Sequence, residues 1–171
     1  MEDIIIRDVL EKDLASVVDI KISGWQTAYK NIVDDDYLNS FNKEEMIESL
    51  KENYKESGFI VAEYKDEVVG FCRYIDSNKY SNNLEEIDCE IVAIYVKPSF
   101  KYNGTGTKMF NHAVNYFKEK NKNKMIIWCL KDNEPSKKFY KKMEGVEYKE
   151  KLIDIGNKKY NETGFIYEIN N

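Results

Sequence analysis

Apolar residues recur along this chain with two different periods, and these periods predict an alternation of strands and helices. Alternating or continuously apolar runs predict seven strands, over residues 4–9, 59–64, 68–75, 86–96, 124–130, 146–155 and 158–169. Apolar residues spaced three and four apart predict four helices, over residues 14–29, 43–54, 105–120 and 133–143. The predicted chain order is therefore β-α-α-β-β-β-α-β-α-β-β, which indicates a mixed α/β (α+β) fold.

Polar and glycine positions separate these elements. Residues 31–40 are mostly polar and predict a connector without regular structure. Gly24 falls inside the first helix, where glycine costs about 1 kcal/mol relative to alanine, and it predicts a bend or a break. Gly145 suits the C-terminal cap of the last helix. The dipeptide at 156–157, Gly-Asn, predicts a two-residue hairpin between the last two strands.

A glycine-rich stretch joins the apolar run that ends at Val96 to the helix that follows it. Gly104 and Gly106 can adopt positive φ and allow a ligand to approach the backbone closely. The free N–H groups of the first helical turn then favour an anion, typically a phosphate. The stretch is not a P-loop, because Thr107 rather than lysine follows the second glycine. It also departs from the dinucleotide-binding pattern, because Met109 occupies the place of the third small residue.

Length and composition restrict the class of protein. A chain of 171 residues predicts a single domain over residues 1–171, and its 42% hydrophobic and 33% charged residues argue against disorder. The formal net charge of −5 disfavours a nucleic-acid-binding protein. No apolar run is long enough for a signal peptide or a membrane span, so we expect a cytoplasmic protein without nucleic-acid or membrane partners.

The cysteines and the histidine predict no metal site. Cys72, Cys89 and Cys129 each lie inside an apolar run, and their odd number and spacing match no zinc pattern. We expect buried free thiols of a reducing compartment. The single histidine, His112, lies on the helix after the glycine-rich stretch and has no clustered ligands beside it.

Three blocks of the chain together suggest a family. Residues 101–106 have the sequence Lys-Tyr-Asn-Gly-Thr-Gly, residues 90–98 form the strand before them, and residues 133–146 contain Asn-x-x-Ser-x-x-Phe-Tyr followed by Gly145. In this order the blocks resemble the GCN5-related N-acetyltransferase (GNAT) family, whose usual motifs carry Gln or Arg where Lys101 stands and Ala where Ser136 stands. The resemblance implies a central mixed, mostly antiparallel seven-stranded twisted sheet, splayed in the middle, with helices on both faces.

The same resemblance implies acetyl transfer from acetyl-CoA, as co-substrate, to an amine, without a metal. The N–H groups of the glycine-rich loop would bind the pyrophosphate. The preceding strand would pair with the pantetheine arm, and the Ile94 N–H is the candidate that polarises the thioester carbonyl. The cofactor-binding residues so implied are Ile94, Tyr95, Val96, Lys101, Tyr102, Asn103, Gly104, Thr105, Gly106, Thr107, Asn133 and Ser136.

Tyr140 and Glu90 are the candidate catalytic residues. A phenol with a pKa near 10 is protonated at neutral pH and can donate a proton to a departing thiolate. Tyr140 is therefore the candidate acid. The alternative is that Tyr140 is only an aromatic core residue. Glu90 is the candidate base, acting directly or through water, because partial burial raises the pKa of a carboxyl group. Asp88 and Glu86 are expected on the same strand face and are alternative bases.

Trp25 and Tyr29, near the end of the first helix, are the candidate acceptor-binding residues. The segment 25–29, with Tyr37 downstream, is similar to the PaiA-type polyamine acetyltransferase branch, which implies a small polyamine-like acceptor. The alternatives are a protein N-terminus or lysine, an amino acid or aminoglycoside, or a non-catalytic acyl-CoA-binding module. The C-terminal hairpin is a candidate surface for a homodimer.

Overall fold

The computed structural model describes residues 3–82 and 84–170, and a sheet of seven strands forms its centre. The strands are β1 (Ile5–Asp8), β2 (Gly58–Tyr64), β3 (Glu67–Ile75), β4 (Cys89–Val96), β5 (Lys124–Leu130), β6 (Val146–Ile155) and β7 (Lys158–Glu168). Their spatial order is β1-β2-β3-β4-β5-β7-β6, and every neighbouring pair is antiparallel except the parallel pair β4–β5. The predicted mixed, mostly antiparallel seven-stranded sheet is confirmed.

Helices cover both faces of this sheet. In the described part of the chain they are α1 (Leu14–Ala28), α2 (Asp35–Leu38), α3 (Lys43–Asn53), α4 (Thr105–Glu119) and α5 (Glu134–Lys142). On one face, Met109 and Phe117 of α4 and Tyr140 of α5 are buried in the largest core cluster. On the other face, Leu14 of α1 packs in a second cluster with Phe71 of β3. The GNAT-like arrangement of helices is therefore confirmed.

The structure adds the short helix α2 to the predicted order. It lies within residues 31–40, where the sequence pattern predicts an irregular connector. Leu38 is 3% exposed and packs with Val33 and Tyr29 in a third core cluster. A single helical turn holds too few residues to display a hydrophobic period, so the pattern alone could not reveal it.

Strand β4 begins at Cys89 rather than at residue 86, and the expectation that Glu86 and Asp88 share a strand face with Glu90 is wrong. The carboxylate of Asp88 accepts a hydrogen bond from the backbone N–H of Lys124 (3.0 Å) and so fastens the entry of β4 to the start of β5. The side chain of Glu86 is exposed. Of the three carboxylates, only Glu90 lies on the strand.

Close packing requires glycine at positions 24 and 145. The sequence suggests other roles, a bend or break in the helix at Gly24 and a helix cap at Gly145. Helix α1 runs through Gly24 without a break, and a Cβ at that position would lie 2.7 Å from Cδ1 of Tyr95. A Cβ at Gly145 would lie 2.5 Å from the hydroxyl oxygen of Tyr167. The left-handed residue after α5 is Glu144, with φ of 71°, so Gly145 is not the predicted cap residue.

The parallel strands β4 and β5 separate after a short contact. They pair only over residues 89–91 of β4. Two adjacent residues of β3 pair with residues 91 and 93 of β4, so Val92 is an extra residue that forms a β-bulge. Beyond the bulge β4 stays paired with β3, whereas β5 stays paired with β7 as far as Leu130. A cleft opens between the two strands, which is the splay that the family resemblance implies.

Candidate active site

The glycine-rich loop leads from the C-terminal end of β4 to the N-terminus of α4. Gly104 precedes the helix with φ of 88°, and a Cβ at this position would contact nothing within 4 Å. The N–H of Lys108 donates to the carbonyl of Gly104 (2.9 Å), which leaves the N–H groups of residues 105–107 without partners inside the helix. Of the two glycines that can adopt a positive φ, Gly104 does so, whereas Gly106 is an ordinary helical residue.

The side chains of this loop either brace it or extend into solvent. The Thr105 hydroxyl is buried and donates to Oδ1 of Asn103 (2.9 Å), which holds the turn together. Tyr102 is 98% exposed, and the side chain of Lys101 is exposed as well. The loop therefore offers a ligand mainly its backbone N–H groups, with the Lys101 ammonium as a mobile point charge beside them.

Strand β4 presents a free backbone edge to the cleft. The N–H of Lys97 donates to β3 (2.8 Å), and ladder hydrogen bonds alternate along an antiparallel strand. Ile94 and Val96 therefore direct their backbone N–H and C=O groups away from β3 and into the cleft. The backbone of Tyr95 faces β3 instead, and its ring stacks on Phe71 with the centroids 5.3 Å apart.

The N-terminus of α5 follows the end of β5. Asn133 is 4% exposed, and its Oδ1 accepts a hydrogen bond from the N–H of Ser136 (3.3 Å), as predicted for an N-cap residue. The Thr107 hydroxyl of α4 lies 3.9 Å from the sulfur of Met143, so the two helices are neighbours. Asn133 and Ser136 have a structural role in the cap, and their contact with a cofactor stays a prediction.

Tyr140 occupies the core beneath the cleft. It is 6% exposed, and its ring centroid lies 5.6 Å from that of Phe165. Burial raises the pKa of its hydroxyl well above the ordinary tyrosine value, and the nearby Cys129 and Tyr95 raise it further. Within the described part of the chain, this hydroxyl makes no hydrogen bond. Tyr140 is therefore a protonated donor whose proton is not engaged by the protein.

Glu90 lies on the opposite side of the sheet from Tyr140, because its strand neighbours pack on the α4 face. It is 2% exposed, and its Oε2 is buried without a hydrogen-bond partner. Burial raises the pKa of this carboxyl group, although the Ser81 hydroxyl and the Lys151 ammonium act to lower it. Glu90 is thus a buried carboxylate with an increased proton affinity and one unoccupied oxygen.

Trp25 and Tyr29 lie together at the C-terminal end of α1. Their rings meet edge to face at 4.8 Å, and the Trp25 indole N–H is buried without a partner. The pKa of Tyr29 is raised well above its ordinary value, first by burial and then by the hydroxyls of Tyr95 and Tyr140. The structure therefore brings Tyr29 close to the predicted acid, with Trp25 packed against Tyr29.

Glu162 of β7 is a cleft residue that the sequence pattern does not reveal. It pairs with Leu130 of β5 and Lys151 of β6, its side chain is 17% exposed, and burial raises its pKa. Its charge in turn raises the pKa of Glu90 and of Tyr95, so it faces the same space. In the sequence it is one polar residue among several in a terminal hairpin. Only the position of β7 beside β5 brings it to the cleft.

The remaining chemical groups form no further centre. Among residues 3–82 and 84–170, no three side chains of His, Cys, Asp or Glu are grouped so that they could hold a metal ion. No helix in those ranges is long and apolar enough to cross a membrane. Cys72, Cys89 and Cys129 are buried free thiols, as predicted.

Comparisons with known proteins agree on the fold and on the family. The model of the acetyltransferase (GNAT) family matches residues 27–145. The uncharacterised N-acetyltransferase YuaI of Bacillus subtilis (strain 168) is 24% identical over 159 residues, covering 93% of this chain and 90% of its own.

Two solved structures have the same fold over nearly the whole chain. PaiA N-acetyltransferase from Thermoplasma acidophilum, in complex with coenzyme A, has a TM-score of 0.71 and 18% identity, and covers 96% of this chain and 98% of its own. Ribosomal-protein-alanine N-acetyltransferase from Brucella melitensis has a TM-score of 0.72 and 16% identity, and covers 96% of this chain and 99% of its own.

Proposed function

Because the chain belongs to the acetyltransferase (GNAT) family, we propose that this acetyl-CoA-dependent N-acetyltransferase acts on a primary amine of a small, polyamine-like molecule. The cleft between β4 and β5 is the observation that carries the proposal. A protonated phenol, Tyr140, and a buried carboxylate with a free oxygen, Glu90, lie on its two sides. Acidic Glu162 and the aromatic pair of Trp25 and Tyr29 border the same space.

The cleft and the loop fit acetyl-CoA. The N–H groups of residues 105–107, at the positive end of the α4 dipole, bind the pyrophosphate. The free backbone edge at Ile94 and Val96 pairs with the amide groups of the pantetheine arm as an added strand would. Lys101 supplies a positive charge for the phosphates. Bound in this way, acetyl-CoA supplies the thioester whose acetyl group is transferred.

Glu90 and Tyr140 handle the protons. Glu90 takes one proton from the acceptor ammonium, which gives a neutral amine that forms the new N–C bond as the C–S bond breaks. Tyr140 gives its hydroxyl proton to the departing sulfur, and the second amine proton returns through water to restore the phenol. The N–H of Ile94 stabilises the negative charge that develops on the carbonyl oxygen. The products are the acetamide, the free thiol of coenzyme A and one released proton.

The charge of the cleft supports a cationic acceptor. Glu162 acts on the same space as Glu90 and, shared with the Lys151 ammonium at 3.8 Å, can bind a second ammonium group of the acceptor, and the aromatic pair of Trp25 and Tyr29 favours a cation. The fold by itself does not select the acceptor. The structures of PaiA N-acetyltransferase and of ribosomal-protein-alanine N-acetyltransferase resemble this chain equally well. The acidic and aromatic border of the cleft is what favours the polyamine-like class.

Thiol release from acetyl-CoA against a panel of amines tests the proposal. The panel contains spermidine and spermine, amino acids, aminoglycosides and short peptides with a free N-terminus. We expect kcat/KM for the polyamines to exceed that of the other classes by about tenfold or more. Preference for a peptide would refute the acceptor class. Tight binding of acetyl-CoA without release for any amine would instead favour a non-catalytic acyl-CoA-binding module.

We also propose a cytoplasmic location. The three buried free thiols suit a reducing compartment, where disulfides do not form. Fractionation of cells with an antibody against the protein tests this location, and recovery in a secreted fraction would contradict it.

A further inference from the structure

A hydrogen bond beside Glu90 links β5 to the loop that precedes β4. The indole N–H of Trp128, on β5, donates to the hydroxyl of Ser81 (2.9 Å) in the 3₁₀ turn Lys79–Ser81. Ser81 is 1% exposed. An indole N–H can only donate, so the Ser81 oxygen is the acceptor in this bond and its own hydrogen remains available for donation. Glu90 of β4 pairs with Ile126 of β5, two residues before Trp128 and therefore on the same face of the sheet, and its Oε2 is buried without a partner.

Lys151 of β6 covers the same position from the outer edge of the sheet. Its Nζ lies 4.3 Å from the centroid of the Trp128 ring, donates to the carbonyl of Tyr80 (3.0 Å), and is 3.8 Å from the carboxylate of Glu162. A Cβ at Gly164 would lie 3.0 Å from the Trp128 ring, so glycine makes room for the indole there. The ammonium group is therefore fixed by contacts from three directions.

We propose that Ser81, Trp128 and Lys151 are positioning residues for Glu90, an inference that rests on the proposed function of Glu90 as the base. Trp128 orients the Ser81 hydroxyl, and Ser81 donates its hydrogen to the Glu90 carboxylate. The carboxylate held in this way receives the proton of the acceptor amine. Lys151 offsets the repulsion between the Glu90 and Glu162 carboxylates. All three residues act through Glu90 and not by contact with the reacting nitrogen.

The groups around Glu90 move its pKa in opposite directions. Burial has the largest effect and raises the pKa of Glu90. Three groups lower this pKa: the Ser81 hydroxyl, the Lys151 ammonium and the Tyr80 N–H. The Glu162 carboxylate raises it. Loss of the Ser81 hydroxyl or of the Lys151 charge therefore raises the pKa further. Because the base works only when ionised, the acid limb of the kcat/KM profile moves to higher pH in these variants.

The test compares Ser81→Ala, Trp128→Phe and Lys151→Met. The Trp128→Phe change keeps an aromatic ring beneath Lys151 but removes the N–H donor. Lys151→Arg is the conservative replacement, and Lys149→Met is the matched control, because Lys149 lies on the same strand with an exposed side chain. The carboxyl group of Glu90 is titrated by 13C NMR, with its resonance assigned from Glu90→Gln, and kcat/KM for spermidine is measured over the same pH range. Thermal melting establishes that each variant is folded.

Ser81→Ala and Lys151→Met are expected to raise the NMR midpoint of Glu90 and to lower kcat/KM on the acid side about threefold to tenfold. We expect smaller changes in both quantities in Trp128→Phe. Lys151→Arg should restore values close to those of the wild type, and Lys149→Met should change neither quantity. An unchanged Glu90 midpoint in folded Ser81→Ala and Lys151→Met overturns the positioning proposal. A raised midpoint with an unmoved acid limb supports the positioning contacts and refutes the base role of Glu90, so the two failures are distinguishable.

Discussion

At the scale of single residues, burial acts in the same direction on the two catalytic candidates and suits each to a different task. Removal from water disfavours the charged form of both a phenol and a carboxyl group. For Tyr140 this keeps the hydroxyl protonated, which an acid requires. For Glu90 it increases the affinity for a proton, which a base requires as long as it is still ionised at the working pH. In the proposed mechanism, the two groups divide the proton transfers between the two sides of the sheet.

Replacement of Tyr140 by Phe tests the acid. We expect Tyr140→Phe to lower kcat by about a hundredfold or more, because the departing thiolate loses its proton donor. The affinity for acetyl-CoA should stay within about twofold, because the ring and its packing are kept. Steady-state kinetics and calorimetric binding measure the two quantities.

The control for this change is Tyr64→Phe, which removes a hydroxyl from a half-buried ring on β2, outside the cleft. It should leave kcat unaltered. Wild-type turnover in Tyr140→Phe would contradict the acid role and would leave Tyr140 as an aromatic core residue.

The pH dependence of kcat/KM tests the base. The pKa of Glu90 is raised above the usual glutamate value of 4.5, and the ionised form is the active one. Activity should therefore increase with pH through that pKa and be lost as the pH falls below it. In Glu90→Gln we expect this acid limb to disappear and kcat/KM on the plateau to decrease about a hundredfold. A profile of unchanged shape in Glu90→Gln would assign the acid limb to another group.

At the scale of elements, helix α1 and strand β4 are fitted to each other through Gly24 and Tyr95. The Tyr95 ring is stacked on Phe71 and lies directly beneath the helix. The absence of a side chain at Gly24 lets the helix approach the sheet at the level of the cleft. This contact also sets the position of the following turn of α1, which carries Trp25 and Tyr29.

Alanine at position 24 tests this fit. Alanine favours a helix over glycine by about 1 kcal/mol, but its Cβ would lie 2.7 Å from an atom of a packed aromatic ring. Overpacking of this kind costs roughly 1–3 kcal/mol, so we expect a net decrease in the free energy of unfolding for Gly24→Ala, measured in urea. Gly106→Ala is the control, because its Cβ would make an ordinary contact at 3.4 Å with Phe139. A Gly24→Ala protein more stable than wild type would show that the Tyr95 ring moves aside freely.

At the scale of the whole molecule, the cleft is a consequence of strand order. The single parallel pair, β4–β5, is the one that separates, and the bulge at Val92 coincides with the separation. Tyr140 reaches the opening from the face covered by α4 and α5, whereas Glu90 and Glu162 lie on the other face. A ligand in the opening can therefore meet the proposed acid and the proposed base from opposite sides of one sheet.

Binding of acetyl-CoA across this opening should stabilise the whole fold. At a ligand concentration a hundred times Kd, the expected gain is about 2.7 kcal/mol. For a chain of this size that corresponds to an increase in Tm of roughly 5–10 °C, measured by scanning calorimetry. Free acetate is the control and should leave Tm unchanged. An unshifted Tm at saturating acetyl-CoA would contradict the assignment of the glycine-rich loop as the binding site.

Much of the fold and part of the candidate site could be predicted from the sequence. The strand and helix periods, the glycine-rich loop and the block around Tyr140 are local patterns, and the structure has all of them. The start of β4 could not be predicted, because Asp88 leaves the strand to bind the backbone of a segment 36 residues away. The role of Gly24 could not be predicted either, because it depends on a ring from a distant strand.

The sequence by itself determined the order of the elements, the free N–H groups that follow Gly104 and the family to which the chain belongs. These properties depend on neighbours within a few residues, where periodicity and capping chemistry act. Only the tertiary structure decided that Ser81, Lys151 and Glu162 surround Glu90. Lys151 and Glu162 face each other in the C-terminal hairpin, Ser81 lies in a distant turn, and the placement of β7 beside β5 brings the hairpin to Glu90. No local pattern encodes that placement, because it depends on how the whole sheet buries its two faces.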